Sequence, residues 1–209
     1  MEKSWFSSYQ KNVPHTINEN EYASIVDILE SSFDKFADRP SFTCMGKTLT
    51  FSEIDELSKK FASFLQNNLK LKKGDRVALM MPNILQYPVA LFGALRAGLV
   101  AVNINPLYTE RELEHQLNDS GAEAIIIFAN SAKILENVIS KTPVKHTIIT
   151  QIGDMLGFPK SLLVNTVIKH VKKMVPSYDL PGHIKFLDAV AMGDAGTFKR
   201  ETPTLEDTA

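Results

Sequence analysis

The chain has 209 residues, 44% of them hydrophobic and 22% charged, enough for one globular domain or one and a half. A formal net charge of −1 supplies no basic field for nucleic acid, and a single cysteine, Cys44, rules out an intrachain disulfide, in keeping with a reducing cytosol. Residues 1–14 lack the continuous apolar core of a secretion signal, and the longest apolar candidate, 88–95, falls short of the roughly 18 residues of a spanning helix, so a secreted or integral membrane protein is not expected.

Residues 1–20 read as an arm with little periodicity. Ser24 opens a helix with Ile25, Leu29, Phe33 and Phe36 on one face. The stretches 41–45 and 48–51 read as a hairpin around Gly46-Lys47. Ser52 is placed to cap the next helix with Asp55 as its capping-box acid, and Ile54, Leu57, Phe61, Phe64 and Leu65 form the buried stripe. Gly74 ends that unit. The run 76–81 then suits a strand covered on both faces. Residues 84–97 are helical, with Gly98 past their end, and 99–104 form the next strand. Thr109-Glu110-Arg111-Glu112 is a capping box whose helix closes at Gly121. Strand 124–128, helix 132–139 and strand 146–150 follow. Alternating strands and helices over 73–150 predict an α/β fold, a mainly parallel sheet with helices on both faces. After Gln151 the rhythm breaks: 155–175 is basic and amphipathic, 176–182 is a loop, 186–192 is a short helix, and 194–209 is polar without a closing element.

No chemistry-bearing motif stands out. Gly46-Lys47-Thr48 has the tail of a phosphate loop, but Ser41 occupies the place of the required glycine, and a β-turn explains the segment better. No Gly-x-Gly and no Gly-x-Ser-x-Gly occurs. His15, His115, His146, His170 and His183 share no metal-ligand spacing with Cys44. Glu110, Glu112 and Glu114 are better explained by a helix start and its polar face than by a metal or acid–base pair. The loops where such a sheet places ligands, at Pro82, Pro106 and Asn130, carry no catalytic set, so no catalytic, cofactor-binding or metal residue is assigned.

Leu49-Thr50-Phe51-Ser52-Glu53-Ile54, Gly74 to Leu79 with Pro82-Asn83, and Leu95-Arg96-Ala97-Gly98 with Val102-Asn103-Ile104-Asn105-Pro106 are similar to opening motifs of acyl-adenylate-forming enzymes. Asn105-Pro106-Leu107-Tyr108-Thr109, Arg111-Glu112-Leu113 and Leu117-Asn118-Asp119-Ser120-Gly121-Ala122 narrow the match: the chain resembles the N-terminal portion of bacterial long-chain fatty acid–CoA ligases. The resemblance implies an incomplete N-terminal domain: an arm at 1–20, an α/β subdomain at 21–152, an amphipathic insertion at 153–193, and a polar tail at 194–209 leading to a phosphate loop beyond the chain. It implies a parent enzyme that uses ATP, Mg²⁺ and coenzyme A to activate a long-chain fatty acid through acyl-AMP, with this portion inactive alone. The alternative is a freestanding, non-catalytic acyl-binding module. The resemblance also implies a cytoplasmic protein, peripheral on the inner face of the membrane, and allows a homodimer.

In the basic segment, Leu163, Val167, Val171 and Met174 recur at helical spacing, as do Val164, Ile168 and Val175, beside Lys160, Lys169, Lys172 and Lys173. A lip on an anionic membrane and a helix packed on its own domain both account for the pattern, and one helix can satisfy both.

Overall fold

The computed structural model describes residues 3–209. In the arm, Phe6 stacks on His15 with ring centroids 4.3 Å apart. Ser24 ends the arm and starts α1 (Ile25–Lys35), its hydroxyl accepting the Asp27 amide at 3.2 Å. Val26 and Phe33 are the buried residues of α1, whereas Ile25, expected on the inner face, is exposed. The cap turns Ile25 outward, and the core begins one residue later.

Strands β1 (Pro40–Cys44) and β2 (Lys47–Thr50) form an antiparallel hairpin with Cys44 opposite Lys47. The turn therefore lies at Met45-Gly46, one residue before its expected place. Both residues have positive φ, 49° and 76°, the pairing that matches strand twist in a two-residue hairpin. Helix α2 (Phe51–Asn67) is capped by Thr50 and not by Ser52. The Thr50 hydroxyl accepts the Glu53 amide at 3.2 Å, and Glu53 Oε2 accepts the Thr50 amide at 2.8 Å. Asp55, freed from that role, turns inward. Ile54, Phe61, Phe64 and Leu65 are buried as expected, but Leu57 is only half-buried and Ser58 takes the inner position.

From there the expected alternation holds: β3 (Arg76–Met80), α3 (Gln86–Arg96), β4 (Val100–Asn103), α4 (Glu110–Ser120), β5 (Ala124–Phe128), α5 (Ala132–Val138) and β6 (His146–Thr150). A fifth strand, β7 (Ile184–Lys185), completes a sheet of order β4-β3-β5-β6-β7, parallel throughout. Side chains alternate across it. Val77, Leu79, Ile126 and Ile148 meet α2, α3 and α7 (Phe186–Met192) on one face. Ala78, Met80, Ile125, Ile127 and Ile149 meet α4 and α5 on the other. All five residues of β5 are buried, which is why it reads as a continuous apolar run. Each fully buried aliphatic side chain, such as Leu113 or Leu117 of α4, contributes about 1.5–3 kcal/mol.

Between β6 and β7 lies α6 (Lys160–Thr166), which continues into a π-type turn at Val167–Val171. The segment 153–193, set apart in sequence as an insertion, thus also returns β7 and α7 to the sheet. Phe186 of α7 is fully buried, its ring centroid 5.1 Å from that of Phe61. Gly193 ends α7 so close to α2 that a Cβ there would stand 1.9 Å from the Lys60 carbonyl oxygen.

The polar tail 194–209 has no long element, yet it is tied down. Gln66 exchanges hydrogen bonds with both main-chain groups of Lys199, at 2.7 and 3.1 Å. The Glu201 amide donates to the Arg96 carbonyl, Arg200 pairs with Asp27 and Glu30, and Lys73 Nζ lies 2.9 Å from Asp207. These are scattered ties, mostly through side chains, without periodicity. A search for helix and strand patterns does not detect them.

Candidate functional site

The chain enters the sheet at β3, crosses by α3 to β4 on one side, then passes back over β3 to β5 on the other. The connections after β3 and β5 leave the sheet in opposite directions at this switch point, the place where α/β sheets of this order hold ligands in a crevice. Its rim consists of the segments 81–85, 104–109 and 129–131. Local bonds fix these loops. Leu107 N donates to Asn105 Oδ1 at 3.0 Å, and Ser131 Oγ donates to the Pro106 carbonyl at 3.1 Å, joining two of the loops. Tyr87 Oη donates to Asn103 Oδ1 at 2.9 Å. The rim sequences, Met-Pro-Asn-Ile-Leu, Ile-Asn-Pro-Leu-Tyr-Thr and Ala-Asn-Ser, contain no charged residue. Asn83, Asn105 and Asn130 are their main polar groups, the first two exposed and the third half-buried.

Beside the rim, at the end of β6, a polar network, buried at Gln86 and Thr150 and half-buried at Asp154 and Asn165, joins three elements. Gln86 Nε2 donates to Thr150 Oγ1 at 3.0 Å and to the Gln151 carbonyl at 2.8 Å. Asp154 Oδ2 accepts from Thr150 Oγ1 at 3.1 Å and from the Gln151 amide at 2.8 Å. Asn165 of α6 donates to Asp154 Oδ1 at 3.0 Å and accepts the Gly153 amide at 2.8 Å. Each of these polar side chains is used, as a buried network requires. Burial, reinforced by the Asp154 charge, pushes the nearby Tyr178 hydroxyl above its ordinary pKa. The sequence reading missed this network because its members come from α3, β6 and α6, and no local motif links them.

The charged cluster of the molecule stands elsewhere. Arg96, at the end of α3, is fully buried. It donates to Asp55 Oδ1 at 2.5 Å, the Asp55 carbonyl at 2.9 Å and Ser58 Oγ at 2.8 Å, and stacks on Phe33 at 4.8 Å. Burial alone raises the Asp55 carboxyl, but hydrogen bonds and charge from Lys59 and Arg96 outweigh it and hold the group below its usual range. This cluster joins α2 and α3 and lies outside the rim.

The acids of α4 are placed by structure. Glu112 completes the capping box with Thr109, whose amide and hydroxyl hold its carboxyl below the usual range. Glu110 accepts from Asn137 at 2.6 Å, and Glu114 faces Lys141 at 3.6 Å. Gly46-Lys47-Thr48 lies in the hairpin, His15 in the arm, and His183 Nδ1 is 2.7 Å from the Leu180 carbonyl. Holding a nucleotide triphosphate with its metal takes cationic or N–H donors for the phosphates and carboxylate for the ion. The uncharged rim does not fit that group. Among the described residues no three His, Cys, Asp or Glu converge as a metal site.

The AMP-binding enzyme profile matches residues 29–207. The chain belongs to the AMP-binding enzyme family. Within the family it is 53% identical over all 209 residues to a long-chain-fatty-acid–CoA ligase of Escherichia coli O157:H7, and 51% identical to one of Haemophilus influenzae. It spans 37% of the length of each. Among solved structures, a luciferase-like enzyme of the mealworm Zophobas morio superposes with a TM-score of 0.71 at 20% identity, over 93% of this chain and 41% of that one. An anthranilate CoA ligase in complex with anthranoyl-AMP superposes with a TM-score of 0.69 at 19% identity, over 87% of this chain and 30% of that one. Both share the fold of this AMP-binding family member.

Proposed function

We propose that this chain is the N-terminal part of an ATP-dependent long-chain fatty acid–CoA ligase. The parent converts a long-chain fatty acid, ATP and coenzyme A to acyl-CoA, AMP and pyrophosphate by way of acyl-AMP, with Mg²⁺. The observation that carries this reading is the 53% identity to the Escherichia coli ligase over all 209 residues. The chain supplies part of the frame: the parallel sheet, its two cores and an uncharged crevice rim. That rim suits uncharged portions of a substrate, and the phosphate and metal ligands belong to the remainder of the parent. Because the fatty acid is amphiphilic, the same reading puts the parent in the cytoplasm, at the inner face of a membrane.

The test joins these 209 residues to the rest of the Escherichia coli relative and follows thioester formation from oleate, ATP and coenzyme A. Oleoyl-CoA formation by the soluble joined protein is the expected result. A folded joined protein that makes none, beside an active intact relative, would overturn the reading.

A further inference from the structure

The connection from β6 to β7 runs around a hollow of about 460 Å³. Three stretches of it supply the polar wall. Gln151 stands just past the end of β6, Lys169 and His170 lie in the π-type turn after α6, and Ser177 and Tyr178 lie in the loop before β7. The strands of the sheet are parallel, and Gln151 leaves it at their carboxyl ends, the side on which α/β sheets hold ligands.

The polar side chains of this wall are unused by the fold. Close by, Gln86, Thr150, Asp154 and Asn165 bond to one another. The main chain of Gln151 belongs to that network, its amide donating to Asp154 and its carbonyl accepting from Gln86. Its side chain does not. Neither that side chain nor those of Lys169, His170, Ser177 and Tyr178 has a hydrogen-bond or ion-pair partner among the described residues. Tyr178 is half-buried, its ring edge-on to His183 at 5.9 Å. Burial, reinforced by the Asp154 charge, raises its hydroxyl above the ordinary pKa, so it keeps its proton and can donate. The dipole of a helix end attracts lysines and accounts for Lys169, Lys172 and Lys173. It does not account for a hydroxyl, a phenol and an amide brought to the same hollow from two other segments.

We propose that this hollow is a binding site for a soluble phosphomonoester. Such a group carries about two negative charges at neutral pH and presents three terminal oxygens. Lys169 supplies a full charge and His170 a ring N–H, and Gln151, Ser177 and Tyr178 supply neutral donors. A carboxylate or a phosphodiester, with one charge and two free oxygens, leaves donors idle there. Lys172 and Lys173, exposed just beyond the turn, add to the local field without lining the hollow. The site does not depend on whether the parent makes acyl-CoA.

Phosphorus NMR titration of the dilute 209-residue chain tests it, with glycerol 3-phosphate as the monoester and glycerophosphoglycerol as the diester. The monoester should bind saturably, and the diester about tenfold more weakly. K169Q and Y178F should each weaken monoester binding about tenfold. Their thermal melts should be unchanged, because Lys169 is exposed and phenylalanine keeps the ring beside His183. K172Q/K173Q should cost only about twofold, as expected of screened charges outside the hollow. No saturable binding, equal binding of monoester and diester, or wild-type affinity in both K169Q and Y178F would overturn the site. A loss in K172Q/K173Q as large as in K169Q would also overturn it, since a diffuse basic field would then explain the binding.

Discussion

Arg96 is the residue whose partners most limit substitution. With no exposed surface it cannot exchange a lost partner for water. Asp55 supplies its closest charge at 2.5 Å, with Glu30 at 3.6 Å from Nε. Replacing Asp55 by Asn should cost about 3 kcal/mol in a urea melt, because breaking one side of a buried pair leaves the other charge uncompensated. Arg96→Lys should not rescue, since an ammonium cannot reproduce the guanidinium fork. The folded Asp55 carboxyl lies below its ordinary value, so its contribution is present above the unfolded value near ~3.9 and is lost as pH falls through the lower folded one. Acid titration of the melting temperature should therefore show a shallower acid limb in Asp55→Asn. An unchanged limb would remove Asp55 from the account of acid stability. Asp207 serves as a contrast. The Thr204 amide and Lys73 draw its carboxyl down to about 2, yet the group is exposed, and Asp207→Asn should leave the neutral-pH melt almost unchanged.

At the scale of elements, the cap of α4 and the end of α7 make opposite demands. Thr109→Ala removes one half of a capping box on a surface helix and should cost about 1 kcal/mol. Gly193→Ala places a methyl group against the Lys60 carbonyl, so α7 must separate from α2. A loss of about 3 kcal/mol is expected, with the amides of α7 around Phe186 more exchangeable in hydrogen exchange. Retention of full stability would mean that α7 shifts freely. The first feature was legible in sequence and the second was not. Thr109 and Glu112 are three residues apart, and their chemistry is local. Gly193 meets Lys60 only after β7 has joined the sheet, and β7 pairs just two residues, Ile184 and Lys185, too few for a period of two. Even local chemistry misleads where candidates compete. Thr50 and Ser52 stand two residues apart at a helix start and both have an acid three residues on; the helix begins at Phe51, so Thr50 is the cap, Ser52 lies within the first turn, and Asp55 pairs with Arg96. That the loops after β3, β4 and β5 carry no charged residue can be read from the letters themselves. The Gln86–Thr150–Asp154–Asn165 network was not, because its partners are as far apart as 64 residues.

For the whole molecule, the sheet and its surface set the solution behaviour. The described sheet ends at β4, a strand of three partly covered residues and the exposed Asn103, and at the two-residue β7. Unpaired edges of this kind template association, and the exposed side chains around α6 add apolar surface. The 209-residue chain should therefore self-associate with rising concentration in size-exclusion chromatography and bind a hydrophobic dye. A monodisperse monomer with one sharp melt would favour a freestanding acyl-binding module instead. The central claim, that this part of the family fold carries the frame and not the adenylating groups, is tested most directly by pyrophosphate release. With oleate, ATP, Mg²⁺ and coenzyme A, the 209-residue chain should release no more pyrophosphate than a protein-free control, because its crevice rim offers no charge to the phosphates. Fatty-acid-dependent release above that control would contradict the account.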